Sequence, residues 1–167
     1  MVDRVRVTER QDLSLVSILA HRAASASAIN EAIGIDMPLG PTAMTEDAIV
    51  VIGSGPGIWL ARSQGAEPGW PRDLERRLAG LAGVSDQTGA YRLFQIEGPD
   101  ARTLVQRGAA IDLDVSAFPP GATAMTVIGH VDVIIRCLLD GRSYEVMVYR
   151  SYAESFLRWV DATAAGL

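Results

Sequence analysis

Apolar positions along the chain fall into two rhythms, one fit for strands and one for helices. Residues 13–19 (LSLVSIL) are apolar and β-branched enough for a strand. The Ala-rich stretch 23–33 that follows stops at Gly34, a favourable residue just past a helix end. Pro38, Gly40 and Pro41 predict a loop. Residues 48–52 (AIVVI) read as a buried strand that turns through Gly53-Ser54-Gly55-Pro56-Gly57 into a second strand at 58–62, a hairpin with Trp59 packed into the sheet core. After a loop at 65–69, Pro71 stands where a first helical turn accepts it, and Leu74, Leu78 and Leu81 recur at helical spacing. They predict a helix that ends near Gly83.

The second half repeats the alternation. Residues 91–96 (YRLFQI) predict a strand, and Gly98-Pro99-Asp100 opens a short helix with Ala101, Leu104 and Val105 on one side, stopped by Gly108. Three strands follow at 122–128, 131–138 and 144–149, the last two joined by the turn dipeptide Asp140-Gly141. Ser151 and Glu154 have the spacing of a capping box, in which hydroxyl and carboxylate satisfy orphan amides at a helix start; Phe156, Trp159 and Val160 give that last helix its apolar stripe. Helices scattered among hairpins make the class α+β with a largely antiparallel sheet, in a single domain over 1–167 with 1–12 as an extended N-terminal arm. The β-α-β-β-α order of the first half resembles the start of the second, which hints at two related halves.

Composition narrows the function classes more than it selects one. The 167 residues are 49% apolar and 21% charged, the make-up of a globular domain able to bury a proper core. A net charge of −5 gives no affinity for phosphate backbones or anionic membranes, so nucleic acid and membrane surfaces are not expected partners. All 15 basic residues are Arg, which removes Schiff-base chemistry, lysine bases and the Walker phosphate loop together. A lone cysteine, Cys137, forms no internal disulfide, and the first ten residues hold no apolar run of signal-peptide length, so the cytoplasm is the expected compartment. The apolar runs fall far short of the roughly 20 residues a bilayer crossing needs.

The candidate chemical motifs each lose to a plainer reading. Gly53-Ser54-Gly55 after an apolar strand looks like a dinucleotide fingerprint, but its third glycine would stand where Ile58 is, and no acidic residue closes a strand about 20 positions on. Ser54 lacks the flanking glycines of a nucleophile elbow. His21 and His130 have no paired His or Cys nearby for a metal, and Cys137 sits in an apolar strand as a small core residue. Asp112 and Asp114 fit loop solvation or capping better than acid–base work. The expectation is therefore no catalytic, cofactor-binding or metal-binding residue in this chain.

Three stretches together resemble a known family, the gamma subunit of heterotetrameric sarcosine oxidase, itself a relative of the folate-binding domain of the glycine-cleavage T-protein. Residues 52–60 (IGSGPGIWL) are similar to its strand-Gly-Pro-x-x-Trp-Leu hairpin, with Gly57 in place of the usual acidic residue. Residues 84–88 (VSDQT) and 91–101 (YRLFQIEGPDA), with Gly98 and Pro99, resemble the signature shared with T-proteins, and the likeness runs on through Gly108, Ile111-Asp112-Leu113 and Ala117-Phe118-Pro119-Pro120-Gly121. Residues 144–155 (YEVMVYRSYAES) resemble its strand, Arg-Ser-x-Ala turn and final helix. The segment 108–121 is the most specific part, since general packing does not dictate its wording.

The resemblance implies a T-protein-like fold and a non-catalytic gamma subunit working with alpha, beta and delta subunits. It implies a complex that oxidatively demethylates sarcosine or a similar N-methyl amine, giving formaldehyde or methylene-tetrahydrofolate and hydrogen peroxide. FAD, FMN, NAD, zinc and tetrahydrofolate would lie on the partner subunits. Arg150, retained in the family's turn and placed directly before the Ser151 cap, is the candidate interface residue; Trp59, Gly98, Pro99, Ser151 and Glu154 are structural candidates. The alternative is a free-standing folate-binding or regulatory relative of T-proteins.

Overall fold

The structure is a computed structural model and describes residues 4–11, 13–138 and 142–167. Two compact units divide the chain, one made of Met1–Gln11 with Ala90–Leu167 and the other of Asp12–Gly89. In the second of these, β2 (Leu13–Ala20) leads through α1 (Ala26–Ile33) to β3 (Ala43–Glu46), β4 (Ile49–Gly55) and β5 (Ile58–Gln64), then α2 (Trp70–Arg77) and β6 (Ala82–Asp86). The other unit runs β7 (Tyr91–Glu97), α3 (Ala101–Gln106), β8 (Thr123–Ile128), β9 (Val131–Cys137), β10 (Ser143–Tyr149), a 3-10 turn (Arg150–Tyr152) and α4 (Ala153–Ala164), with β1 (Arg6–Arg10) joining from the N-terminus. The turn Asp140-Gly141 lies outside the described residues.

In place of one sheet there are two antiparallel sheets of five strands, ordered β3-β4-β5-β2-β6 and β8-β9-β10-β7-β1. Each unit thus repeats β-α-β-β-β-α with the same strand order, and a fifth strand flanks the first: β6 beside β2, β1 beside β7. The repetition anticipated in the sequence is therefore present; the first half gains two strands over the expectation, β3 and β6, and the second gains β1.

The helices cover one face of each sheet because their apolar stripes match the strands' alternation. Phe94, Ile96, Val133, Ile135 and Tyr144 on the strands pack with Leu104, Val105, Phe156 and Val160 on α3 and α4. In the other unit Val16, Ile18 and Trp59 pack with Ile29 and Ile33 of α1 and with Leu74 and Leu78. Each fully buried side chain of this kind contributes roughly 1.5–3 kcal/mol. The helix expected to reach Gly83 stops at Arg77 instead: Gly80 turns at φ +80°, Leu78 is buried just past the end, and Ala82–Asp86 leaves as strand β6.

The glycine-rich hairpin is built by steric demands. Gly55 pairs with Ile58 across the two-residue loop Pro56-Gly57, and Gly57 takes φ +69°, as the third position of a type II turn requires. Gly53 faces Trp59 across the strands, and a Cβ on it would strike the Gly40 carbonyl; the loop from Pro38 to Thr42 lies directly against it. Trp59 is buried, and its indole N–H donates to the Pro38 carbonyl at 2.9 Å. At Gly98, φ is +129° and the Arg4 carbonyl occupies the space a side chain would need. Pro99 follows it just ahead of α3, where Asp100 caps the helix by position, its amide donating to Arg4 O at 3.2 Å and its carboxylate pairing with the Arg4 guanidinium.

Candidate subunit interface

The residues weighed as chemical groups sit in structural roles. Where a dinucleotide would need a helix N-terminus after Gly53 and Gly55, β5 follows, and the Gly40 backbone occupies the space a pyrophosphate would have to share. His130 has φ +68° and, with Gly129 at +57°, makes the two-residue turn between β8 and β9, the signs of a type I′ hairpin. His21 is exposed just beyond β2. Cys137 is fully buried, its thiol donating to the Leu138 carbonyl at 3.5 Å. Asp112 and Asp114 fold their own loop: Asp112 Oδ1 accepts from the Asp114 amide at 2.8 Å, and Asp114 Oδ1 accepts from the Ser116 amide and hydroxyl at 3.0 and 2.7 Å. Those Ser116 hydrogen bonds also lower the Asp114 pKa. Among the described residues, no group of three His, Cys, Asp or Glu side chains could hold a metal ion.

Charge gathers instead at the corner where β10 hands over to α4. Arg92 on β7 donates through Nε and Nη2 to both carboxylate oxygens of Glu9 on β1, at 2.7 and 2.5 Å, and through Nη1 to Glu154 on α4 at 2.9 Å. One guanidinium therefore ties the edge strand β1 and the final helix to the neighbouring inner strand β7. Its hydrogen bonds lower the Glu9 pKa, and the charges of Arg92 and Arg150 lower it further. Arg150 is exposed, and its amide donates to the Ala90 carbonyl at 2.8 Å. The acid near Arg150 thus comes from the N-terminal strand rather than from β10. The expected capping box of Ser151 and Glu154 does not form. The chain enters α4 through the 3-10 turn, so Tyr152 takes the cap position with no side-chain cap hydrogen bond, while the Glu154 carboxylate accepts from Arg92. Neither Arg92 nor Glu9 stood out in the sequence, since the pair is 83 residues apart and β1 read as an arm.

On the sheet face away from α3 and α4 lies a groove of about 350 Å³. Met147 and Ile134 form its floor, Met125 and Val127 on β8 one wall, and Tyr91 with Tyr149 the other. The two tyrosine rings stack with centroids 4.5 Å apart, and burial raises the Tyr91 pKa, as does its hydrogen bond with Tyr149. Asp132 supplies the single charged side chain of the lining.

Comparisons with known proteins bear on the family and the fold. Of solved structures, the chain is similar to heterotetrameric sarcosine oxidase from Corynebacterium sp. U-96 in complex with pyrrole 2-carboxylate: TM-score 0.90, 18% identity, over 99% of this chain and 87% of that one. It is also similar to aminomethyltransferase T of the glycine cleavage system from Bartonella henselae, with TM-score 0.71 and 11% identity over 94% of this chain and 45% of that one. At these identities the likenesses establish the fold. No curated protein sequence matches the chain. The model of the sarcosine oxidase gamma subunit family matches residues 19–166, and the chain belongs to that family.

Proposed function

We propose that this chain is the non-catalytic gamma subunit of a heterotetrameric, sarcosine oxidase-type flavoenzyme. The complex oxidatively demethylates sarcosine or a similar N-methyl amine to the free amine, with formaldehyde or methylene-tetrahydrofolate and hydrogen peroxide as the other products. FAD, FMN, NAD, zinc and tetrahydrofolate are carried by the alpha, beta and delta subunits, and this chain contributes surface. The observation that carries the reading is the family match over residues 19–166 joined to a 0.90 TM-score against a protein described as heterotetrameric. No helix among the described residues is long and apolar enough to cross a membrane. Arg150, exposed at the corner beside Glu9, is the proposed docking residue, its planar fork suited to a partner carboxylate or carbonyls.

Co-expression with alpha, beta and delta subunits, followed by purification on a tag carried by this chain, tests the proposal. All three partners should be recovered, with sarcosine-dependent peroxide release from the complex and none from the isolated chain. A chain that is recovered alone and binds tetrahydrofolate would favour the free-standing T-protein-like alternative. Flavin absorbance that stays with the isolated chain through gel filtration would overturn the non-catalytic reading.

A further inference from the structure

Leu39 is 93% exposed, against 65% for Met125, the next of the large apolar side chains among the described residues. A leucine on a loose surface loop would mean little, since exposed apolar atoms are common. The loop that carries Leu39 is instead held on both sides. Before it, Met37 and Pro38 are buried; the Met37 amide donates to Asn30 Oδ1 at 3.0 Å, and the Pro38 carbonyl accepts from the Trp59 indole at 2.9 Å. After it, the Gly40 carbonyl accepts from the Thr42 amide at 2.8 Å, and the Thr42 carbonyl accepts from the Gly53 amide at 3.1 Å. Pro38 and Pro41 each fix a backbone φ as well.

The same contacts say which way the loop looks. A Cβ on Gly53 would strike the Gly40 carbonyl, so the loop lies on the sheet face toward which Gly53 and Val51 project. Met44 on β3 pairs with Val51, projects to that face and is 40% exposed; Glu46 follows it two residues along the strand. Residues 31–47 contain Glu31, Asp36, Glu46 and Asp47, all exposed, and no basic residue. Arg77 reaches this segment at the far end from β3, where its Nε donates to the Ala32 carbonyl.

Resting on the subunit reading above, we propose that Leu39 is a preformed anchor that inserts into a partner subunit. The pocket it fits is a leucine-sized apolar hole, with an apolar shelf for Met44 and a rim of basic residues facing Asp36, Glu46 and Asp47. Met37, Pro38 and Gly40 meet the packing needs of the loop, which leaves the Leu39 side chain free for this use. Because the backbone on either side is already fixed, docking loses little loop entropy, and a rigid apolar anchor inside a charged rim gives both affinity and orientation.

Hydroxyl-radical footprinting of the wild-type chain, alone and in the complex recovered by co-expression, is the test. Oxidation of the Leu39 side chain should fall at least about tenfold on assembly, as burial in an interface excludes solvent. Leu39→Asp should leave the circular dichroism and the urea midpoint of the isolated chain unchanged, because the site is exposed, yet lower recovery of at least one partner about tenfold. Glu46→Lys should lower recovery of that partner about threefold at low ionic strength and much less at high salt. A complex in which Leu39 is oxidised as fast as in the free chain, or Leu39→Asp recovering every partner like the wild type, would overturn the anchor and leave the subunit reading standing. Glu46→Lys recovered like the wild type would overturn the basic rim. Failure of the wild type to recover any partner would overturn both the anchor and the subunit reading. A dimer of the isolated chain that Leu39→Asp abolishes would overturn the partner assignment, by giving the anchor to a second copy.

Discussion

Trp59→Ala is the perturbation whose cost follows most directly from the structure. The indole is 4% exposed, packs within the cluster of Val16, Ile18, Ile29 and Leu78, and donates to the Pro38 carbonyl at 2.9 Å. Truncation removes the largest side chain of that core and leaves a cavity that Gly53, pressed against the Gly40 backbone, cannot move to fill. Loss of an aromatic side chain from such a site costs ~3–5 kcal/mol. Trp59→Phe keeps most of the ring volume but strands the buried Pro38 carbonyl, an omission that costs ~1–3 kcal/mol. Against a total of ~5–15 kcal/mol for a typical domain, the alanine change takes a large share and the phenylalanine change a smaller one. Urea unfolding gives the totals, and amide exchange at Ile18 and Ala61 on β2 and β5 gives the local effect. Exchange there should quicken about a hundredfold in Trp59→Ala, the equivalent of ~3 kcal/mol. An alanine variant within 1 kcal/mol of the wild type, or a phenylalanine variant as damaged as the alanine one, would refute this account of the hairpin.

The remaining predictions follow from the charged corner and the tight glycines. Glu9 has its pKa lowered below 4.5 mainly by its hydrogen bond from Arg92, so its contribution is present above the unfolded pKa and is lost as pH falls through the folded one. Glu9→Gln should therefore cost ~1 kcal/mol in urea unfolding at pH 7, and the difference from wild type should shrink as pH falls through the lowered folded pKa of Glu9. Gly129→Ala forces a methyl group against the Trp159 indole at a φ of +57° and should destabilise by ~1–3 kcal/mol, an effect that Trp159→Ala should relieve in the double variant. Arg150→Ala should leave circular dichroism unchanged and reduce partner recovery at moderate salt; equal recovery would reduce Arg150 to a solvated side chain.

What the sequence disclosed about the fold was the part whose pattern is written by burial. β2, β4, β5, β7, β9 and β10 each carry an apolar face against helices, so their rhythm is visible. β1, β3 and β6 are flanking strands with mostly exposed or half-buried residues, and a strand held by ladder hydrogen bonds leaves little hydrophobic periodicity to read. The end of α2 was misplaced for the opposite reason. Leu78 and Leu81 continue the helical spacing, yet Gly80 at φ +80° redirects the chain while still delivering Leu78 to the core. At the charged corner, Ser151 and Glu154 had the spacing of a cap, but Arg92 competes for the carboxylate from 62 residues away, a distance no local pattern reports.

The segment 108–121, which identified the family most sharply, has wording that the fold itself explains. Gly108 lies under the Trp159 indole, where a Cβ would collide with the ring. Gln106, just ahead of it, donates to the Ile111 carbonyl and accepts from the Leu113 amide, both at 2.8 Å, pinning the loop to the end of α3. Asp112 and Asp114 form successive side-chain turns, Leu113 and Phe118 enter the core, and Gly121 takes φ +87° to start β8. These residues are held by local hydrogen bonds, close approaches or backbone angles. The family signature is thus a signature of how this loop closes the sheet and helix layers. It delivers the chain to Thr123 at the start of β8, which is buried, and Ala110 bonds the Val127 carbonyl further along, so the stretch that identifies the family also covers much of this edge strand.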